Sequence, residues 1–231
     1  CAILNLGGIA NLTILPAGGT ADAVTGFDTG PGNVLMDELV RAEGLSEQGY
    51  DEGGRLAAAG RVDRRLLADL LAHPFVARRP PKSTGREAFG PALAREVLER
   101  ARGAGGSERD ALATLAAFTV EAVARNLREF VFPATPIREL VVMGGGARNP
   151  VVMQGLARAL PQCEVLPAEA AGLPARAVEA VTFAALAYLT AAGRPGNLPA
   201  VTGARGPRIL GSIVPGTGYR GRAATTRRRR R

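Results

Sequence analysis

Short apolar runs open the chain at residues 2–6 and 11–15, with a glycine-containing segment, 7–10, between them. Two apolar runs joined by a short glycine turn predict a β-hairpin. Another turn follows at 17–20, and residues 23–27 predict a third strand. We therefore expect a three-stranded meander at the start of the domain.

A helical pattern follows over residues 34–42. Leu35, Leu39 and Ala42 share one face of this predicted helix, and Asn33 has the right position and side chain to cap it. The other helical patterns cover 51–72, 91–102, 108–130, 150–160 and 175–192. Residues 139–143 predict a buried strand and 163–166 one more strand, and the proline-containing stretch 77–89 predicts a loop.

Strands first, then helices and strands mixed, predict the α/β class with a mixed sheet flanked by helices. We expect one domain over residues 1–215, followed by a disordered basic tail over 216–231. The chain has 231 residues, of which 46% are hydrophobic, so it can form a substantial core. It contains no Trp, and its core must therefore consist mainly of Leu, Val, Ile and Ala.

Charge is concentrated at one end of the chain. The net charge is +8, and five of the positive charges are Arg227 to Arg231, which leaves +3 for the rest. A basic run can bind nucleic acid electrostatically, but no interleaved aromatic residues and no adjoining fold motif support that interpretation here. We expect a solvated tail and no nucleic-acid partner.

The two cysteines, Cys1 and Cys163, lie far apart and have no metal-ligand spacing. This pattern favours a reducing cytoplasm, without a structural metal or a disulfide framework. A membrane partner is not expected, because there is no run of about 18 apolar residues. The chain begins in an apparent strand and without methionine, so we expect the natural start to lie upstream of Cys1.

Asp28 is the first candidate for chemistry. It follows the third predicted strand in a segment that contains Gly26, Gly30 and Gly32. A carboxylate beside a glycine turn and a helix N-terminus can take a proton from an attacking hydroxyl or water, next to a bound anion. The alternative is an ordinary strand-to-helix turn in which Asp28 caps its own backbone.

Two glycine clusters are candidates for ligand binding. The Gly7-Gly8 amides could form a small anion nest, although Gly-Gly is also common in hairpin turns. Gly144, Gly145 and Gly146 lie between a strand and a helix that Asn149 can cap. They suit the close approach of a flat or phosphorylated ligand, or a plain turn, but match neither the dinucleotide fingerprint nor the Walker loop.

Three charged residues and one histidine complete the candidates. Lys82 and Arg86 lie in a stiff loop and could clamp a sugar or a phosphate, or could belong to an ordinary surface loop. Glu179 interrupts an apolar stretch, where a carboxylate is either used or on the solvated face of a helix. His73 precedes Pro74 at a helix end, where capping is the favoured role.

Five segments together resemble the anhydro-N-acetylmuramic acid kinase family. They occur in the family's order, are highly specific as a set, and extend across residues 1–215. The segments are Leu4–Thr13, Phe27–Asn33, Pro81–Glu87, Gly144–Pro150 and Val201–Arg208.

The resemblance implies the C-terminal lobe of the hexokinase/actin-like (ribonuclease H-like) sugar kinase fold. It implies ATP and Mg²⁺ as cofactors, a bacterial cytoplasmic location, a homodimer, and cleavage of the 1,6-anhydro ring with phosphorylation of O6 in cell-wall recycling. Asp28 would be the base that activates water. Gly7, Gly8, Gly144 to Gly146 and Asn149 would bind the nucleotide.

On the sugar side, the resemblance places Glu179 near the substrate, together with Asn33, Lys82 and Arg86. The family begins with a lobe that carries a Gly-Thr-Ser-x-Asp-Gly loop for the ATP phosphates. This chain has no such loop, so we expect little activity from it alone. The alternative is a non-catalytic sugar- or nucleotide-binding module that retains the fold.

Overall fold

The computed structural model describes residues 1–172 and 177–214. Its strands are β1 (Ala2–Leu6), β2 (Ile9–Ile14), β3 (Thr25–Pro31), β4 (Glu139–Met143) and β5 (Glu164–Pro167). They form one sheet in the order β3-β2-β1-β4-β5, in which β1, β2 and β3 are antiparallel neighbours. Strands β4 and β5 run parallel to β1. The predicted meander and the mixed sheet are therefore confirmed.

The helices are α1 (Val34–Ala42), α2 (Arg55–Ala58), α3 (Arg64–Leu71), α4 (Pro74–Ala77), α5 (Pro91–Gly103), α6 (Glu108–Asn126), α7 (Pro150–Ala159), α8 (Val178–Ala191) and α9 (Pro199–Thr202). Short 3₁₀ turns cover Ala21–Ala23, Glu52–Gly54 and Gly145–Arg148, and a π turn, Leu127–Val131, follows α6. The α/β class is confirmed. In the part of the chain that the structure describes, the helices are too short or too polar to cross a membrane.

The core lies against one face of the sheet. In β1 and β2 every second residue is fully or almost fully buried, from Ala2 and Leu4 to Leu12 and Ile14. These side chains form one cluster with buried residues of α1, α5, α6 and α7. The opposite face of β1 and β2 stays half-exposed, and it carries the polar residues of the candidate site.

Strand β3 extends past the predicted end at Phe27 and continues to Pro31, so placing Asp28 in a turn was wrong. A β-bulge makes this possible: Asn11 pairs with Asp28 and Ala10 with Gly30, which leaves Thr29 as the extra residue. Gly30 adopts a φ of 145°, a conformation that favours glycine. Pro31 is tolerated because it ends an edge strand.

Helix α1 has the predicted bounds, but the predicted cap by Asn33 was wrong. The Asn33 side chain makes no capping bond; its Nδ2 donates instead to the carbonyl of Leu6 at 3.1 Å. His73 does cap a helix, because its Nδ1 accepts from the Phe75 amide at the start of α4. The predicted cap by Asn149 is also confirmed, with Oδ1 accepting from Val151 and Val152.

The helical pattern at 51–72 is not one helix. It divides into α2 and α3 around Gly60, where an added Cβ would lie 2.0 Å from the carbonyl oxygen of Arg109. The chain between them bonds to α6 instead, through Arg61 to Asp110 and Asp63 to Thr114. Close packing against α6 therefore overrides the local helical periodicity.

Helix α8 covers Val178–Ala191 of the predicted 175–192, and none of its residues is buried. Phe183 and Tyr188 are 71% and 65% exposed. The predicted tail, 216–231, lies outside the described residues.

Candidate functional site

A row of three polar side chains crosses the half-exposed face of the sheet. Asp28 on β3 pairs with Asn11 on β2, and Asn11 pairs with Asn5 on β1. Directly paired residues project from the same face of a sheet. We call Asp28, Asn11 and Asn5 the polar row. Its next partner is Met143, the last residue of β4, so the row leads to the glycine turn at 144–146.

The Asp28 carboxylate is fixed through one of its two oxygens. Oδ2 accepts from the Ser83 hydroxyl at 2.9 Å and from the Thr84 amide at 2.8 Å. The Asp28 amide in turn donates to the Lys82 carbonyl at 3.1 Å. Within residues 1–172 and 177–214, Oδ1 accepts no hydrogen bond. Asp28 is therefore an oriented carboxylate with one oxygen available to a ligand.

Lys82 anchors the loop that holds Asp28. The lysine residue is only 5% exposed, and Nζ donates to the carbonyls of Phe75 and Val76, each at 3.0 Å. The ammonium also lies 4.8 Å from the centre of the Phe75 ring and 5.5 Å from that of Phe130. Burial lowers the pKa of Lys82 to about 8.

Asn126, near the end of α6, contacts the same region from within the core. It is fully buried, and its Nδ2 donates to Ala122, with longer contacts to the carbonyls of Thr29 at 3.4 Å and Val76 at 3.5 Å. Among the described residues, its Oδ1 has no partner. Asn126 thus links the bulge beside Asp28 to the α4 carbonyl that binds Lys82.

The two cations predicted to contact the substrate lie in different environments. The Lys82 ammonium is occupied by backbone carbonyls, and this anchoring role was missed by sequence reasoning. The Arg86 side chain is 74% exposed and reaches to within 3.9 Å of Glu38. Substrate contact by either residue stays a prediction.

The Gly7-Gly8 turn bonds to the start of α1 through its carbonyls. Gly7 accepts from the Asn33 amide at 2.8 Å, and Gly8 accepts from Gly32 and Val34 at 2.8 and 3.1 Å. Neither Gly7 nor Gly8 has a positive φ, so an alternating left- and right-handed nest is not formed here. This turn fixes helix α1 against the end of β1, and nucleotide contact by its amides stays a prediction.

The three glycines at 144–146 have different surroundings. A Cβ on Gly144 would lie 2.7 Å from Asn5 Oδ1, and one on Gly146 would lie 2.7 Å from Leu6 Cβ. Both glycines therefore permit close packing on β1. At Gly145 the nearest atom to an added Cβ is Asn33 Nδ2 at 3.6 Å, so this residue is the one with space towards a ligand.

A cavity of about 420 Å³ lies between α1, the 50–54 segment and the glycine turn. Gly145 and Asn149, predicted to bind the nucleotide, line it together with Asn33, which was predicted on the sugar side. Asp37 and Tyr50 line it too. Burial raises the pKa of the Asp37 carboxyl to about 6. A carboxyl with two oxygens, an aromatic ring and amide groups suit a nucleoside with its ribose hydroxyls.

A second cavity, of about 410 Å³, lies on the other side of the glycine turn. Asn5 and Gly144 contribute one wall, Glu179 and Thr182 of α8 contribute another, and Arg148 and Gly145 line both cavities. Glu179 is exposed on the first turn of α8. The fold thus brings Glu179 to the Asn5 end of the polar row.

Sequence reasoning missed Asn5, Asn11, Asp37 and Asn126. The sequence did contain a signal for the two strand asparagines. Asn is disfavoured in strands, and both residues lie on the half-exposed face, where every second residue of β1 and β2 lies. The sequence contains no comparable signal for Asp37 and Asn126, because polar residues are common on helices. Among residues 1–172 and 177–214, no three His, Cys, Asp or Glu residues converge as a metal site.

The comparisons with known proteins agree with these motifs. The family model described as anhydro-N-acetylmuramic acid kinase matches residues 1–216. Proteins with that name from Cupriavidus pinatubonensis and Streptomyces coelicolor are 48% and 47% identical over 213 and 215 residues. The alignments cover 92% and 93% of this chain, but only 55% and 52% of those proteins. The chain therefore spans about half the length of these relatives.

Among solved structures, the activator of 2-hydroxyisocaproyl-CoA dehydratase from Clostridium difficile with bound ADPNP is similar over 72% of this chain and 53% of its own. The TM-score is 0.43 at 14% identity, which is too low to support a conclusion about fold or ligand.

Proposed function

The chain belongs to the anhydro-N-acetylmuramic acid kinase family, and we propose that it forms the sugar- and ATP-facing half of such a kinase. In the proposed reaction, water opens the 1,6-anhydro ring and O6 is phosphorylated, giving N-acetylmuramic acid 6-phosphate. A role in the recycling of bacterial cell wall belongs to the same proposal. The support comes from the family match and from the geometry around Asp28.

The observation that carries the proposal is the asymmetric environment of the Asp28 carboxylate. Ser83 and Thr84 hold Oδ2, while Oδ1 makes no hydrogen bond within residues 1–172 and 177–214. A general base needs a fixed direction and a free lone pair at hydrogen-bond distance from the proton that it removes. Asp28 meets both requirements and lies at one end of the polar row.

Asp28 Oδ1 would take a proton from a water molecule as the water oxygen bonds to C1 of the sugar. The C1–O6 bond breaks, and O6 takes the γ-phosphoryl group of ATP while ADP leaves. The proton on Asp28 then returns to solvent, so atoms and charges balance. Because phosphoryl transfer depends mainly on positioning and charge stabilisation, the fixed orientation of Asp28 is the contribution expected of this half.

We assign the nucleoside to the cavity lined by Asn33, Asp37, Gly145 and Asn149. Asn149 uses Oδ1 to cap α7, and its Nδ2 makes no hydrogen bond within the described part of the chain. The Asp37 carboxyl suits ribose hydroxyls better than phosphates, because like charges repel. Gly144 and Gly146 would act indirectly, by letting Gly145 and Asn149 approach the ligand.

The phosphates would then extend towards the Gly7-Gly8 turn, which follows β1 and lies beside the glycine turn at 144–146. Mg²⁺ usually binds through one or two carboxylates together with substrate phosphates. The described residues do not form a three-ligand metal site of their own, so the ion would be bound together with ATP. It would neutralise the charge that develops on the transferred group.

On the sugar side we propose direct contact from Glu179, which shares a cavity with Asn5, and from Arg86, whose side chain is 74% exposed. Lys82 would act indirectly, because its ammonium holds the loop that orients Asp28. A homodimer is part of the proposal and rests on the family alone. Sedimentation velocity of the purified chain measures it directly.

The reaction is tested with 1,6-anhydro-N-acetylmuramic acid, ATP and Mg²⁺ in ¹⁸O-labelled water. We would compare the chain alone with a completed protein, in which it is fused to the portion of the Cupriavidus pinatubonensis relative that has no counterpart here. We expect phosphate on O6 and ¹⁸O on C1 from the completed protein, and little turnover from the chain alone. Product without ¹⁸O at C1 contradicts the role of water.

Calorimetry separates this function from that of a non-catalytic binding module. If the completed protein binds the anhydro sugar and ADP but forms no product, the module is the better description. Product formation at a rate far above that of a mixture lacking protein supports the kinase.

A further inference from the structure

Asn5 and Asn11 occupy an unfavourable place for asparagine. Both lie in strands that have a neighbour on each side, and Asn has a low preference for strands. Both side chains are half-buried. Within residues 1–172 and 177–214, neither side chain makes a hydrogen bond, whereas Asn33 and Asn126 do. Two polar amides are thus presented on the sheet without a protein partner.

These two amides are aligned with Asp28. The pairing places Asn11 directly beside Asp28, and Asn5 directly beside Asn11. Neighbouring strands lie about 4.8 Å apart, so Asp28 and Asn5 are separated by roughly 10 Å. That span accommodates one monosaccharide with its substituents. The adjacent positions on this face are apolar or small, with Ile3 and Ile9 among them.

The Asn5 side chain lies between the two glycine turns. Its Oδ1 occupies the space that a Cβ on Gly144 would need, and its Nδ2 is 4.0 Å from the position of a Cβ on Gly7. Asn5 also lines the cavity that contains Glu179. The polar row therefore begins at the proposed base and ends at the cavity that contains Glu179, the other carboxylate assigned to the sugar.

We propose that Asn11 and Asn5 are sugar-binding residues that form the floor of the substrate site between Asp28 and Glu179. An asparagine amide offers two N–H donors and one acceptor oxygen, which suits hydroxyl, ring-oxygen and acetamido groups of a sugar. Asn11 would orient the sugar next to the free oxygen of Asp28, and Asn5 would bind its far side. This inference rests on the proposed function, because it assumes that the ligand on this face is the anhydro sugar.

The alternative is that water solvates both amides and that neither touches a ligand. The two cases differ in what truncation does to binding. A lost hydrogen bond to a bound hydroxyl or amide weakens affinity by about tenfold, whereas replacing a solvated side chain leaves it unchanged.

The test is titration calorimetry with 1,6-anhydro-N-acetylmuramic acid on the completed protein and on its Asn11→Ala and Asn5→Ala variants. Thr13→Ala is the matched control, since Thr13 lies on the same face of β2, two residues from Asn11. We expect Kd for the sugar to rise about tenfold for each asparagine variant and less than about twofold for the control, with ADP affinity unchanged in Asn11→Ala and Thr13→Ala. Because Asn5 packs against Gly144, Asn5→Asp provides a variant of equal volume with the same expectation.

Steady-state kinetics adds a readout that a purely structural role would not change. Asn11→Ala should raise KM for the sugar while KM for ATP stays within about twofold. If the unsubstituted protein binds the sugar and both asparagine variants bind equally well, the asparagine assignment is overturned and the kinase proposal stands. If the unsubstituted protein binds no anhydro sugar, the kinase proposal itself fails, and the assignment fails with it.

Discussion

Thr84 donates its backbone amide to Oδ2 of Asp28 at 2.8 Å, although the two residues are 56 positions apart in the chain. The Ser83 hydroxyl donates to the same oxygen. Both donors follow Lys82, whose buried ammonium fixes the start of this segment to α4. The orientation of the proposed base therefore depends on a lysine whose ammonium binds backbone carbonyls of α4.

The first prediction concerns that lysine. Lys82→Met keeps most of the side-chain volume but removes the ammonium donor that the carbonyls of Phe75 and Val76 share. Each carbonyl keeps one further donor, from the Arg78 amide and from Asn126, so the loss should cost about 1 kcal/mol in the free energy of unfolding. The 82–84 segment should then detach more often, so the Thr84 amide should exchange its hydrogen faster. Urea unfolding and hydrogen exchange followed by NMR measure the two effects.

Arg86→Met is the matched control, because it removes a cation from an exposed position in the same loop. Its free energy of unfolding should change by less than about 0.5 kcal/mol. Unchanged protection of Thr84 in Lys82→Met would show that the ammonium does not hold the loop.

Gly32 should tolerate no larger residue. A Cβ at this position would lie 2.3 Å from the carbonyl oxygen of Gly7, which binds the Asn33 amide at the start of α1. Gly32→Ala must displace that turn and should destabilise the protein by about 1–3 kcal/mol. Gly103→Ala, at the end of α5 with no atom within 4 Å of its added Cβ, should be neutral or stabilising. Equal stability of the two variants in thermal unfolding would refute this packing.

The partly buried carboxyl of Asp37 should make the stability of the protein depend on pH. Burial raises its pKa from 3.8 to about 6, so the folded protein binds this proton more tightly than the unfolded chain does. Its contribution is favourable at low pH and is lost as the pH rises through about 6. Asp37→Asn should therefore stabilise the protein by about 1 kcal/mol near pH 7.5, since solvent screens a half-exposed group, and by less near pH 4.

The measurement is the difference in Tm between Asp37→Asn and the unsubstituted chain at the two pH values. Glu52→Gln is a useful comparison, because Glu52 lines the same cavity at a more exposed position. A difference in Tm that does not change with pH would contradict the burial of the Asp37 carboxyl.

Two phenylalanines should respond very differently to truncation. Phe89 is fully buried and packs against His73, Phe75 and Phe118. Phe89→Ala should cost about 3–5 kcal/mol in the free energy of unfolding. Phe183 of α8 is 71% exposed, so Phe183→Ala should cost less than about 0.5 kcal/mol in the isolated chain. A large cost at Phe183 would mean that another surface covers α8 in solution.

Local sequence patterns correctly predicted the elements that depend on residues close together in the chain. Helix α1 has the expected bounds because its apolar spacing is regular, and α7 begins at the predicted cap and proline, Asn149 and Pro150. β4 likewise matches the prediction. The glycines and proline after Phe27 misled the prediction, because a β-bulge absorbs them into β3 instead of ending the strand.

The site itself depended on long-range contacts. Asp28 was identified as a candidate from its glycine-rich surroundings, but its partners in the polar row follow from strand register, which no single segment specifies. Lys82 was a candidate for substrate contact because it is a cation in a stiff, polar loop, but its ammonium is buried against backbone carbonyls. Charge and sequence position alone could not distinguish an anchoring lysine from a binding one.

The most direct test of the central claim is the turnover of Asp28→Asn in the completed protein, with 1,6-anhydro-N-acetylmuramic acid, ATP and Mg²⁺. Asparagine keeps the size of the side chain and can accept from Ser83 and Thr84, so Tm and sugar affinity should change little. Since a positioned general base contributes about 10²–10⁴-fold to a rate, kcat should fall by at least about a hundredfold. A kcat within about threefold of that of the unsubstituted protein would show that Asp28 is not the base.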